Sequence, residues 1–194
     1  MNQEFRRNRT AFLSDRFLGV IASSILPLVF FSYGLFCFVY VKSGLTIDGY
    51  FNLTSAQVFQ EQWVYTGLAA VSWPPLYTIL TSFVALFFEL EVAARVVSLL
   101  SGTALVFLLP CFSRAAGYGY FPGILVQLLI VASPNFLIVS LTADNHVLDA
   151  MLFILVFTLG VDYLRKNMAR FPYGLFVASV LLSHTKYSSW VLVV

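Results

Sequence analysis

Charge is scarce in this chain. Nine acidic and 11 basic residues make 10% of 194, against roughly 25% in an ordinary soluble domain. That shortage excludes intrinsic disorder, which goes with low hydropathy and high charge, and a nucleic-acid module, which needs a basic face. The formal net charge of +2 is too small to point to an anionic partner. Cysteine is scarce as well. Cys37 and Cys111 are the only two, each inside an apolar run. A disulfide scaffold is excluded, and both read as small hydrophobes. Low-complexity tracts and internal repeats are absent. So are a P-loop, a dinucleotide fingerprint, a zinc-ligand spacing and a nucleophile elbow.

Apolar residues are what the chain has in excess: 60% are hydrophobic, with a mean hydropathy of +0.88. A membrane span takes about 20 apolar residues, so the length accommodates about five or six crossings and no sizeable soluble domain. Six apolar stretches stand out: Phe17–Val41, Pro74–Phe88, Val92–Phe112, Tyr120–Ala143, Val147–Leu164 and Phe171–Val194. The first follows Arg6, Arg7, Arg9 and Arg16. At about 25 residues it is too long for the apolar region of a signal peptide, and no small-residue cleavage site follows, so it reads as a retained anchor.

Pro74–Phe88 is short for a span. Thr78, Thr81, Ser82, Ala85 and Glu89 share one helical face, and Leu76, Ile79, Leu80, Phe83, Leu86, Phe87 and Leu90 the other. Such a helix can lie in the membrane interface with its polar face wet. Charge placement tests the alternatives. If all six stretches cross, the basic residues divide evenly between the two sides. If Pro74–Phe88 lies flat outside, Arg6, Arg7, Arg9, Arg16, Arg114, Arg165, Lys166 and Arg170 fall inside, and Lys42 and Arg95 outside. The second layout obeys the positive-inside rule. It predicts an all-α integral membrane bundle forming a single module: a cytoplasmic tail over 1–16, spans over 17–41, 92–112, 120–143, 147–164 and 171–194, and an outer loop over 42–91 with two interfacial helices. Asp48, Glu61, Glu89, Glu91, Asp144 and Asp149 then share the outer face.

Several residues there could carry chemistry. Asp48 stands at the start of an expected short helix over Gly49–Gln62. It reads either as a general base or, with Thr46, as a candidate helix cap. Asp144 is placed to cap the next helix. Asp149 sits within an apolar helix, where a carboxylate is expensive unless paired or used. His146 is three residues earlier and can face the same way, but two ligands do not make a metal site. Lys186, in the last apolar stretch, reads as an ion-pair partner of Asp149 or as a cation for a phosphate. Trp63, Tyr65, Trp73 and Tyr77 fit an interfacial aromatic belt. Asn52-Leu-Thr54 is a glycosylation sequon. Transporters often have repeated halves and broken helices, and neither is evident here. A non-enzymatic transporter subunit or assembly factor is the alternative to an enzyme.

Four local features, in this order, resemble the N-terminal part of GT-C class membrane glycosyltransferases. The resemblance is to the aminoarabinose transferases and protein O-mannosyltransferases. Ile47-Asp-Gly-Tyr-Phe51 follows the first span. Trp73-Pro-Pro-Leu-Tyr77 leads a flat helix that runs through Phe88 to Arg95. Leu148-Asp149 follows a polar turn, and the last segment carries a Thr-Lys pair in Leu181-Leu-Ser-His-Thr-Lys-Tyr187. The resemblance implies transfer of a sugar from a polyprenyl-phosphate donor to a lipid, glycan or protein acceptor at the outer face, in contact with membrane lipids and not with nucleic acid. Asp48 would be the base, Asp149 would line the same cavity, and Lys186 would act through its charge. Tyr50, Pro74, Tyr77 and His146 would contact substrate. No cofactor is expected; a divalent cation is conceivable. In the aminoarabinose transferases a lysine precedes the flat helix's proline, where this chain has Trp73. Because GT-C enzymes have further spans and this sequence stops at Val194 within an apolar run, the chain is expected to be a fragment, which need not be active alone.

Overall fold

A computed structural model describes residues 3–40, 46–63, 75–166 and 171–185, with side chains from residue 19 onward. Among the described residues every regular element is a helix: α1 (Gln3–Tyr40), α2 (Ile47–Gln62), α3 (Leu76–Val84), α4 (Leu90–Ala115), α5 (Phe121–Val131), α6 (Pro134–Leu141), α7 (His146–Lys166) and α8 (Tyr173–Ser183). Three are long and apolar enough to cross a membrane: α1 from Gly19 to Tyr40, α4 and α7. A fourth crossing results if α5 and α6 count as one span. This is compatible with a multi-pass membrane protein.

The core is arranged around α4, which packs against α1, α2, α3, α5, α6 and α7. Its buried face includes the small residues Ala93, Ala94, Ser98, Ser101 and Gly102. Small side chains let helix backbones approach closely where lipid offers no hydrophobic drive for association. Large apolar residues on α1, among them Ile25, Leu28 and Phe36, point away from the protein.

Two prolines lie inside long helices, Pro27 in α1 and Pro110 in α4. Each lacks the N–H that would bond the carbonyl four residues earlier, which orphans Ser23 O and Val106 O. The Gln127 side chain resolves both. Its Nε2 donates to Ser23 O at 3.0 Å and to Val106 O at 2.8 Å. One buried amide on α5 thus joins the defects of two neighbouring helices.

The stretch 120–143, expected as a continuous span, is two helices bent by 74°. The cause is local. Pro134 opens α6, and the residue before a proline is held out of the helical region. Ser133 accordingly takes φ −82° and ψ 113°, and its hydroxyl caps α6 by accepting from Phe136 N.

The short helix of the 74–88 stretch is turned opposite to expectation. α3 rises roughly 14 Å over its nine residues, less than half of a ~30 Å hydrocarbon core. Its polar residues Thr78, Thr81 and Ser82 are buried against the protein, whereas Leu80, Phe83, Leu86, Phe87 and Phe88 are exposed. The polar face is not wet. Ser82 Oγ donates to Ala56 O of α2 at 3.1 Å, and Gln60 Nε2 donates to Ser82 O at 3.1 Å. α2 is mixed, burying Gly49, Asn52, Leu53, Ser55 and Ala56 and exposing Ile47, Tyr50 and Trp63 together with Thr54, Gln57 and Glu61. The polar-in, apolar-out arrangement of α3 is the one that lipid favours.

Candidate functional site

At one end of the bundle, the termini of α1, α2, α4, α6, α7 and α8 are linked through a few polar side chains. Arg95, in the second turn of α4, holds two of them. Its Nε donates to Leu141 O at the end of α6 at 2.9 Å, and its Nη2 to Phe38 O near the end of α1 at 3.1 Å. Its guanidinium also lies 4.1 Å from the centre of the Phe38 ring. Helix C-termini expose unpaired carbonyls and partial negative charge, so a buried arginine is well matched to both. On the far side, Asn145 Nδ2 donates to Thr185 O at 3.1 Å. Leu76 N donates to His184 O at 2.9 Å, fastening α3 to the end of α8.

The start of α2 enters this frame. Thr46 is its cap, accepting from Gly49 N at 2.9 Å, which leaves the Asp48 carboxylate out of that role. Gly49 sits against the 142–145 turn. A β-carbon there would stand 2.7 Å from Ala143 O, so only glycine allows this approach. The approach brings Asp48, Asp144 and His146 together, with one ligand atom from each within 4.8 Å of the others.

Asp144 is the buried member. Its Oδ1 accepts from Asn145 N at 2.6 Å. Its Oδ2 faces the Thr46 hydroxyl at 3.5 Å and His146 Nε2 at 3.6 Å. It precedes the capping position it was expected to fill, since α7 begins at His146. Behind it, Ser98 Oγ donates to Asp144 O at 3.0 Å and lies 3.0 Å from the Tyr77 hydroxyl, which itself donates to Ala94 O at 2.9 Å. Burial pushes the Tyr77 phenol above its ordinary pKa; the Ser98 hydrogen bond opposes this and the Asp144 charge reinforces it. The phenol therefore stays protonated and works as a donor.

The expected site residues divide. Asp48 and His146 are in the cluster. Asp149 lies further along α7, where its Oδ1 accepts from Thr185 Oγ1 at 2.6 Å. Its carboxylate is tied to the residue before Lys186. Tyr50 is exposed, on the outer surface of α2. Tyr77 is only 1% exposed, so it belongs neither to an aromatic belt nor to a substrate surface; its ring packs in the cluster of Leu53, Ala94, Val97 and Leu148 beneath the site. Asn52 of the sequon is 2% exposed, leaving no room for a glycan. Pro74 and Lys186 lie outside the described residues, as do Tyr65 and Trp73.

Asp144, expected as a helix cap, is instead the buried centre of the cluster. The signal was present in Asp144-Asn-His146 leading directly to Asp149, but its link to Asp48 is spatial. Two carboxylates and an imidazole form a donor set suited to a divalent ion such as zinc or manganese. The same groups can alternatively share a proton or position a hydroxyl. Comparison of the chain with protein-family models, curated proteins and solved structures gives no match.

Proposed function

We propose that the protein is a membrane glycosyltransferase of the GT-C kind, moving a sugar from a polyprenyl-phosphate carrier to a hydroxyl or amine acceptor. The observation that carries this reading is the meeting of Asp48, Asp144 and His146 at the end of the bundle where α3 turns its apolar residues outward. Exposed Trp63, Phe83 and Phe87 would lie against the lipid tail of such a donor, and the carboxylates would meet its head. The order of local features shared with GT-C enzymes supports the same conclusion.

In this mechanism Asp48 accepts the proton of the acceptor O–H or N–H as that atom bonds to the sugar C1. The C1–O bond to phosphate breaks, and the polyprenyl phosphate leaves with the electron pair. Asp144, held by Ser98 and Asn145, fixes the geometry around Asp48, with Tyr77 bracing Ser98 behind it. The leaving phosphate needs positive charge, the part that the resemblance gives to Lys186. A divalent cation, which Asp144 and His146 would hold, would supply Lewis-acid charge to that phosphate.

The test is direct. Membranes carrying the protein are incubated with a labelled polyprenyl-phosphate sugar, and release of polyprenyl phosphate is followed. Release with that donor, and none with a nucleotide sugar, is the expected result. Neither donor being consumed while the protein is folded and inserted would leave the non-enzymatic reading in its place.

A further inference from the structure

The opposite end of the bundle holds a second polar assembly, which the proposed chemistry does not use. A cavity of about 530 Å³ opens between the last turns of α4 and α7 and the 116–120 turn. Among the described residues its lining carries three cations, Arg114, Arg165 and Lys166, and one carboxylate, Asp162. Its size is that of a site for a small organic ligand.

The cations come from two helices. Arg165 of α7 reaches across to α4, its Nη1 donating to Ala115 O at 2.7 Å. Arg114 of α4 donates to the Tyr120 hydroxyl and lies 5.2 Å from the centre of that ring. Each guanidinium has five N–H donors, and these bonds take one from each. Lys166 is paired with Asp162 at 2.6 Å, one turn back on α7. The deeper lining is less polar, with Cys111 and Leu159.

Helix C-termini attract cations for their own sake, and that accounts for basic residues in the last turns of α4 and α7. It does not account for an open cavity into which two helices each send a guanidinium fixed by a hydrogen bond to a neighbouring element. Cations above an apolar floor match an amphiphile with an anionic head. At the end of helices long enough to cross a bilayer, they stand at headgroup depth, where basic pockets between helices hold anionic lipids.

We infer that this cavity binds the phosphate headgroup of an anionic phospholipid, clamped between Arg114 and Arg165 with an acyl chain or glycerol toward Leu159. The inference is independent of the chemistry at the Asp48 end; it needs only that α4 and α7 cross the membrane. Phosphate is the recognised group, and a free phosphate ion could offer the same oxygens, so the experiment separates the two.

The whole protein, purified in uncharged detergent, is titrated with short-chain phosphatidylglycerol, with phosphatidylcholine and with inorganic phosphate, and complexes are counted by native mass spectrometry. Phosphatidylglycerol should bind at least tenfold more tightly than phosphatidylcholine, and the double variant R114Q/R165Q should lose at least tenfold. Asp162→Asn frees Lys166 and makes the cavity more positive, so it should bind the lipid more tightly than the wild type. That variant decides the matter if R114Q/R165Q does not fold. Equal binding of the two lipids, undiminished binding by folded R114Q/R165Q, or no gain with D162N would overturn the inference. Inorganic phosphate binding as tightly as phosphatidylglycerol would overturn it too, making the cavity a free-anion site.

Discussion

Gly49 and Ala143 touch through their backbones, so closely that a β-carbon on residue 49 would stand 2.7 Å from the Ala143 carbonyl oxygen. This contact seats the start of α2 on the turn before α7 and brings Asp48 to Asp144. Gly49→Ala should therefore push the two apart. Overpacking of this kind costs about 1–3 kcal/mol, and thermal unfolding in detergent should show it. Sugar transfer should fall more steeply than stability, because Asp48 moves with the backbone. Thr46→Ala, which removes only the cap, should cost about 1 kcal/mol, and Thr46→Ser should restore it.

The buried Tyr77 phenol links α3 to α4 and braces Ser98. Replacing it with Phe should cost about 1–2 kcal/mol at neutral pH, the worth of a buried hydrogen bond plus a carbonyl left without its donor. The pH dependence follows from the raised pKa. The unfolded chain begins to lose the Tyr77 proton near its ordinary value of 10.0 while the folded state still holds it. The stabilisation is thus fully present below pH 10 and declines as the pH rises from there toward the folded value. Y77F lacks this decline, so unfolding measured from pH 8 to 11 should show its deficit shrinking at the alkaline end.

Gln127 can be tested by a mutational cycle. Gln127→Leu leaves Ser23 O and Val106 O without a donor. It should destabilise by roughly 1–3 kcal/mol, since hydrogen bonds inside membrane bundles are worth less than the full desolvation penalty. Pro27→Ala or Pro110→Ala restores one missing N–H. Each should cost less in the Q127L background than in the wild type, and additive losses would count against the bridge.

The two ends of the bundle should be reachable from opposite sides of the membrane. With Cys37 and Cys111 replaced, single cysteines at Tyr118 and Leu164 should react with an impermeant maleimide from one side, and a cysteine at Phe87 from the other. All three positions are exposed. Labelling of all three from one side would undo the multi-pass arrangement.

Much of this was legible in the residue pattern, and the exceptions have physical causes. The apolar runs mark the long helices, and the separation of Asp48, Asp144 and Asp149 from Arg114, Arg165 and Lys166 is found at opposite ends of α4 and α7. The shortness of α3 was also visible. Which face it buries was not, because the rule that polar faces meet water reverses where lipid is the solvent. The break at Ser133-Pro134 is masked by a run that is apolar on both sides of it, although proline there announces a helix start. Tyr77 looked interfacial by composition and is interior because Ala94 and Ser98 of α4 supply partners for its hydroxyl. The joining of Asp48 to Asp144 depends on a backbone contact at Gly49 that no spacing along the chain encodes.

The most direct measurement compares sugar transfer by wild type, Asp48→Asn and Glu91→Gln in membranes with equal amounts of inserted protein. Glu91 is an exposed acid in the first turn of α4 and takes no part in the cluster. If Asp48 is the base, D48N should lose transfer by at least a hundredfold, general-base catalysis being worth about 10²–10⁴-fold, while E91Q keeps the wild-type rate. Transfer by D48N at the wild-type rate would contradict the account.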